Sequence, residues 1–134
     1  MGDWVLHVRV GPQIAIEDSV HLASTLDRLH LEQRDDPILV HLEGPEGILT
    51  IGVGPAMTIL THTLTSGNPP YFSSLGTQTE GPDLVFDASP HPKMEGDYTE
   101  FDIKHAVPWK RAKQAMLDYF ATSRLGPAIE WVEV

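Results

Sequence analysis

Apolar and polar residues alternate in several short runs along the chain, which is the pattern of strands with one buried face. Turn sequences such as 44–47, Gly-Pro-Glu-Gly, separate these runs and predict tight connections. Three runs between positions 37 and 62 follow one another so closely that they predict an antiparallel meander, with a hairpin between the first two. The predicted strands are 4–10, 37–42, 48–53, 56–62, 84–86, 98–103 and 129–134.

Two other stretches have the periodicity of amphipathic helices. The first begins at a capping residue, Asp18 or Ser19, and continues to about Leu31,. The second begins at 107–108, Val-Pro, and is predicted to stop at 126–127, Gly-Pro,. The predicted buried stripes are Leu22, Leu26 and Leu29 in the first helix, and Ala112, Ala115, Met116, Tyr119 and Phe120 in the second.

The order of these elements predicts an α+β fold with a mainly antiparallel sheet of about six strands and two helices packed on one face. Segment 66–81 is rich in Ser, Gly, Pro, Asn and Thr and is predicted to be a loop,. No repeat or linker interrupts the pattern, so residues 1–134 are predicted to form a single domain,.

Composition narrows the functional classes. The chain has 134 residues, no cysteine and a formal net charge of −10. The lack of cysteine excludes thiol chemistry and thiolate metal sites, and it favours a cytoplasmic location. The acidic balance argues against a nucleic-acid partner and suits a basic protein partner. No stretch has the pattern of a signal peptide or a membrane helix, so no membrane partner is expected.

Candidate chemistry is sparse. The seven histidines do not form a metalloprotease spacing, so no metal, no cofactor and no catalytic residue is predicted. Ser73 and Ser74 lack the surroundings of a nucleophile elbow and are interpreted as turn residues,. Four carboxylates predict an outward acidic stripe, which by its pattern alone is more often a solvated face than a partner-binding one. They are Glu95, Asp97, Glu100 and Asp102.

The C-terminal half resembles a known family, the Immunity protein 1 family of bacterial polymorphic-toxin systems. The similarity covers residues 68–134 and rests on short motifs. They are 70–76 Pro-Tyr-Phe-Ser-Ser-Leu-Gly, 96–101 Gly-Asp-Tyr-Thr-Glu-Phe, 107–108 Val-Pro, the second helical stripe, 126–127 Gly-Pro and 129–131 Ile-Glu-Trp.

This resemblance implies a non-enzymatic protein that binds a cognate toxin protein, often of the nucleic-acid deaminase class, and blocks it. Under this hypothesis Tyr71, Phe72 and Trp109 are the predicted apolar anchors,. Glu95, Asp97, Glu100 and Asp102 are the predicted charged contacts,.

Two alternatives stay open from the sequence. One is a small enzymatic or ligand-binding domain in a biosynthetic pathway, which would need a pocket with convergent polar groups. Its candidate residues are His62, Tyr98, Asp102 and His105. The other is a homodimer formed through a sheet edge.

Overall fold

A computed structural model describes residues 4–8, 13–87 and 98–134, and within them it contains eleven strands and two α-helices. The helices are α1 (Ser19–Glu32) and α2 (Trp109–Thr122), and a short 3-10 helix covers Ile103–His105. The strands are β1 (Val5–His7), β2 (Ile14–Ala15), β3 (Ile38–Glu43), β4 (Gly47–Val53), β5 (Met57–Thr58), β6 (Leu60–Leu64), β7 (Phe72–Leu75), β8 (Leu84–Asp87), β9 (Tyr98–Phe101), β10 (Val107–Pro108) and β11 (Glu130–Glu133).

Seven strands form one continuous sheet in the order β11-β7-β6-β4-β3-β1-β2, and every neighbouring pair is antiparallel. β8 pairs in parallel with the first residue of β3, where Asp87 lies opposite Ile38, and β9 pairs with β8 antiparallel. β5 and β10 form a separate two-stranded ladder. The predicted α+β class and mainly antiparallel sheet are therefore confirmed, and so is the meander of β3, β4 and β6.

Both helices cover the same face of the sheet, and the main core lies between them and that face. Leu22, Leu26 and Leu29 of α1 pack there together with Ala112, Ala115, Met116 and Tyr119 of α2. The sheet contributes every second side chain of its strands, on the face that the helices cover. These side chains are Leu6, Ile38, Val40, Leu42, Leu49, Ile51, Val53 and Leu60. Full burial of a leucine or isoleucine contributes roughly 1.5–3 kcal/mol, so this layer accounts for much of the fold's stability.

The two helices begin and end by different means. The Asp18 side chain accepts a 2.7 Å hydrogen bond from the backbone N–H of His21 and so caps α1, as predicted,. α2 ends at Thr122, before the predicted stop at 126–127, because Ser123 adopts a left-handed conformation with φ of 59°. Its N–H bonds the Tyr119 carbonyl at 2.7 Å, which closes the last turn,.

The prediction of a loop over 66–81 was wrong at its centre, where Phe72–Leu75 forms β7 between β6 and β11. Two serines gave this strand the composition of a loop. In the fold their hydroxyls are satisfied by distant backbone groups. Ser74 Oγ accepts from Leu60 N at 3.0 Å and donates to the His105 carbonyl at 2.7 Å, so burial of this side chain leaves no polar atom unpaired.

The single strand predicted over 56–62 is divided in two at Ile59. Met57 and Thr58 leave the main sheet and pair with Val107 and Pro108, while β6 starts at Leu60. The Thr58 hydroxyl donates to the Gly52 carbonyl at 2.6 Å and holds this bend against β4.

No helix of the described residues packs on the opposite face of the sheet, and that face is termed the helix-free face. One end of it is covered by the β8–β9 arm, where Phe86 packs with Leu39 and Ile59. Gly52 lies directly beneath the Phe86 ring, and a side chain at that position would overlap the ring. Toward the β3–β4 turn, no other element of the described residues covers the helix-free face.

Candidate functional site

The predicted aromatic anchors at 71–72 lie at the start of β7. Tyr71 is 38% exposed, and its hydroxyl donates a 2.6 Å hydrogen bond to the Gly67 carbonyl. Phe72 is half-buried and is paired in register with His62 on β6 and Glu133 on β11. Tyr71 therefore presents aromatic surface to solvent, whereas Phe72 is partly committed to the sheet.

The third predicted anchor, Trp109, is half-buried at the first position of α2. Its ring stacks on His30 of α1 with centroids 3.8 Å apart and planes within 4°, and it packs against the main core. This contact joins the two helices. Trp109 is ten positions from Tyr119 in α2, and at 1.5 Å per residue it lies about 15 Å from the place where Tyr119 contacts His62,.

The predicted acidic stripe falls partly outside the described residues, because Glu95 and Asp97 lie in segment 88–97. Glu100 is exposed on β9, opposite Val85 of β8. Asp102 is exposed, and its carboxylate accepts from the Lys104 N–H at 2.9 Å, which caps the 3-10 helix. The five predicted contact residues that are described thus occupy three places: the start of β7, the end of the β8–β9 arm and the start of α2.

The residues of the enzymatic alternative do not converge on one cleft. His62 Nε2 and the Tyr119 hydroxyl are 3.0 Å apart in the core, and the His105 ring bonds the Ser74 carbonyl through Nδ1 at 2.7 Å. Asp102 is used in its cap, and the side chain of Tyr98 is outside the described part. Each described group therefore already serves a structural contact of its own.

The His62–Tyr119 pair is the most deeply buried polar contact of this set. His62 is 9% and Tyr119 is 1% exposed, and Gly47 of β4 packs so closely on both that a side chain there would overlap them. Burial lowers the pKa of His62, and it raises the pKa of Tyr119 to about 12 with a further contribution from Glu46. His62 Nδ1 has no hydrogen-bond partner among the described residues.

An open groove of about 480 Å³ lies on the helix-free face, and none of the predicted site residues lines it. Cross-strand register places His7 beside His41, His41 beside Thr50, and Ile48 between Glu43 and Thr63. The lining residues are His7, His41, Glu43, Ile48, Thr50 and Thr63.

The polar side chains of this groove are hydrogen-bonded in pairs. His7 Nε2 and Glu43 Oε1 are 2.8 Å apart, with both side chains partly exposed. His41 Nδ1 and the Thr50 hydroxyl are 2.7 Å apart. Burial lowers the pKa of His41, and the neighbouring His7 lowers it further, so His41 is neutral near pH 7,. Glu43 is the one carboxylate among the residues that line the groove.

A second cleft of about 410 Å³ opens where β7, β10, α2 and β11 meet. Leu75, Val107 and Ile129 give it apolar walls, and Arg111 and Glu130 are its charged groups. His62, Asp102 and His105 line neither cleft.

In the described residues, no three His, Asp or Glu side chains are grouped closely enough to hold a metal ion. In the same residues, no helix is long and apolar enough to cross a membrane.

Comparison with known families decides the class of protein. A family model for the immunity protein Imm1 matches residues 13–133. The chain belongs to the Imm1 family of immunity proteins. The match extends the resemblance seen from residue 68 onward through α1 and the meander, and leaves only β1 among the described elements outside it. No curated protein is detectably similar in sequence.

Membership of the Imm1 family implies an immunity protein that acts against a toxin. The sequence prediction of this family is therefore confirmed. The groove on the helix-free face was missed, because its members are single polar residues on separate strands. The sequence pattern that could have placed them on one face was the strand alternation, since His7, His41 and Thr50 are the neighbours in sequence of the buried Leu6, Leu42 and Leu49.

Proposed function

We propose that this protein binds a toxin domain of the nucleic-acid deaminase class in the cytoplasm and blocks its active site or its substrate path. The observation that carries the proposal is the Imm1 match over 13–133. Toxins that act on nucleic acid need basic surfaces to hold phosphates. The net charge of −10 supports fast electrostatic association with such a surface,.

The role proposed is inhibition by binding, without catalysis by the immunity protein. The geometry supports this because the described histidine and carboxylate candidates are each engaged in separate structural contacts. A protein that blocks a toxin needs only a complementary surface, and buried anchor residues together with charged contacts supply the affinity and the association rate.

The decisive experiment is a pull-down with this protein as bait against the proteins encoded beside its gene, at about 50 mM and about 500 mM salt. We expect one basic protein to be captured, with less capture at high salt. The captured protein should deaminate single- or double-stranded DNA or RNA, and the addition of one equivalent of the immunity protein should stop that reaction. Capture of nothing at either salt would overturn the proposal, and capture of a toxin with other chemistry would overturn the deaminase assignment.

The predicted contacts are tested by association rate. We expect Glu100→Lys to slow association by about tenfold at low salt, because it reverses a charge that would face a basic partner. Glu32→Lys, an exposed charge reversal at the end of α1, is the matched control. Asp102 is unsuitable because its carboxylate caps the 3-10 helix. Equal rates for both variants and the wild type would remove the β9 arm from the interface.

A further inference from the structure

The open part of the helix-free face has an unusual charge character for a protein surface. By the register of the strands, the described residues on this face of the main sheet include no lysine and no arginine. Among the described residues of this face, the only carboxylates are Glu43 in the groove and Glu130 at the β11 edge. Glu43 is half-buried and its one described ion-pair partner is a histidine, His7, so the carboxylate is a favourable place for a stronger cation from another molecule.

We propose that this groove is a docking site for an arginine side chain of the partner toxin, with the guanidinium paired to Glu43. The proposal rests on the toxin-binding function proposed above and adds the surface and the chemistry of one contact. It concerns none of the residues predicted from sequence.

The groove offers acceptors that match the donors of a guanidinium group. Glu43 Oε1 is bonded by His7, which orients the carboxylate, while Oε2 has no partner among the described residues. His41 Nδ1 is hydrogen-bonded to Thr50, and in the neutral tautomer that carries its proton on Nδ1 the Nε2 atom is a further acceptor,. Arginine carries five donors in a planar fork and is weakly hydrated, so it is favoured over lysine for partly buried carboxylate pairing.

The size and apolar floor of the groove also fit one long side chain. Its volume of about 480 Å³ is in the range of clefts that hold small ligands, roughly 300–1,000 Å³. Ile48 lies between Glu43 and Thr63, and its side chain with the threonine methyl groups supplies a surface for the aliphatic stem of arginine. A second copy of this chain is a poor occupant, because each copy carries a net charge of −10,.

Two substitutions test the docking site from opposite directions. Glu43→Gln removes the charge and keeps the shape, and its amide oxygen still accepts from His7. Thr63→Arg places an arginine two strands from Glu43, about 10 Å away across Ile48, where it can occupy the groove from within. Glu133→Gln and Thr65→Arg are the matched controls. Glu133 is exposed on the helix side of β11, and Thr65 is exposed after β6.

We expect Glu43→Gln and Thr63→Arg each to raise the Kd for the captured toxin by about tenfold or more, mainly through faster dissociation. Both controls should stay within about twofold of the wild type. Thermal unfolding of all four variants shows whether the fold is retained. If the folded groove variants bind as tightly as the wild type, the docking site is overturned and toxin binding stands. If the wild type binds no toxin, the proposed function fails and this inference falls with it.

A second measurement tests the ligand chemistry without any toxin. Acetyl-arginine amide is titrated into the protein and followed by NMR. The signals measured are the backbone amides of His7, His41 and Ile48 and the imidazole rings of the two histidines. We expect shifts at these residues that are absent with acetyl-citrulline amide, the uncharged analogue, and absent in Glu43→Gln. Equal responses to both compounds, or none to arginine, would overturn the guanidinium assignment. A dimer in gel filtration that Glu43→Gln dissolves would show a second copy in the groove.

Discussion

The contact between Tyr119 and His62 shows how much one hydroxyl can matter in a core. The Tyr119 ring is enclosed by Trp4 and His62, both in edge-on contact with centroids 5.4 and 5.2 Å away. The hydroxyl meets His62 Nε2 at 3.0 Å, and it is the one hydrogen-bond partner that the His62 ring has within the described residues. Loss of that oxygen would leave both ring nitrogens unpaired in a buried site.

Tyr119→Phe is therefore expected to lower the free energy of unfolding by about 1–3 kcal/mol, the cost of a buried polar group without its partner. Tyr71→Phe makes the same chemical change at a residue that is 38% exposed, and it should cost less than about 1 kcal/mol. Urea denaturation of both variants measures the difference. Equal losses would mean that the His62–Tyr119 contact contributes nothing special to stability.

At the scale of elements, the starts of the two helices differ in electrostatics. α1 begins with the Asp18 carboxylate on its free backbone N–H groups. α2 begins after Pro108 with no side-chain cap and no acidic residue in its first turn, where Lys110 and Arg111 are instead exposed. Positive charge at a helix N-terminus opposes the helix dipole. The first turn of α2 is thus held by Trp109 packing and by its 2.9 Å N–H bond to the Ala56 carbonyl.

Lys110→Glu should stabilise the protein by about 0.3–1 kcal/mol, because it replaces an unfavourable charge with a favourable one at the start of α2. Lys110→Gln removes only the positive charge and should give a smaller gain in the same direction. The midpoint of thermal unfolding at low ionic strength measures both changes. A fall in stability for Lys110→Glu would show that the lysine has a favourable contact that outweighs the dipole.

The elements that sequence alone could predict are those whose signals are local. Asp18 and the leucine spacing of α1 lie within one helix, and β3 and β4 are joined by a short turn. β7 could not be predicted, because the partners that satisfy Ser74 are Leu60 and His105, which only the fold brings near. The groove likewise depends on tertiary placement. Alternation showed two faces to each strand, but the helices decide which of them is left open.

At the scale of the whole molecule, three histidines couple stability to pH. Burial lowers the pKa of His30, His41 and His62 below the ordinary value near 6.5, despite the opposing effect of Asp27 on His30. His30 also accepts a 3.0 Å hydrogen bond from Gly54 N at Nδ1, and protonation would remove that acceptor. Near pH 6 the unfolded chain therefore binds more protons than the folded chain does.

The free energy of unfolding should accordingly have its full value above about pH 6.5, and it should fall as the pH is lowered toward the folded-state pKa values of the three histidines. The decline is bounded by about 1.4 kcal/mol per pH unit for each excess proton bound by the unfolded chain. Urea denaturation at pH 7.5, 6.5 and 5.5 measures it, and His41→Gln should flatten the slope. Stability that is constant over this range would contradict the lowered pKa values.

The position of β11 at the edge of the sheet has a consequence for synthesis. β3 and β4 are joined by three residues, whereas β11 pairs with β7 across roughly 55 positions of chain, and loop-closure entropy grows with that separation. On the ribosome, the meander can pair while the rest of the chain is still being made. The outer edge of Phe72–Leu75 stays open until its partner emerges, so this interval is when the nascent chain is most prone to pair with the wrong strand.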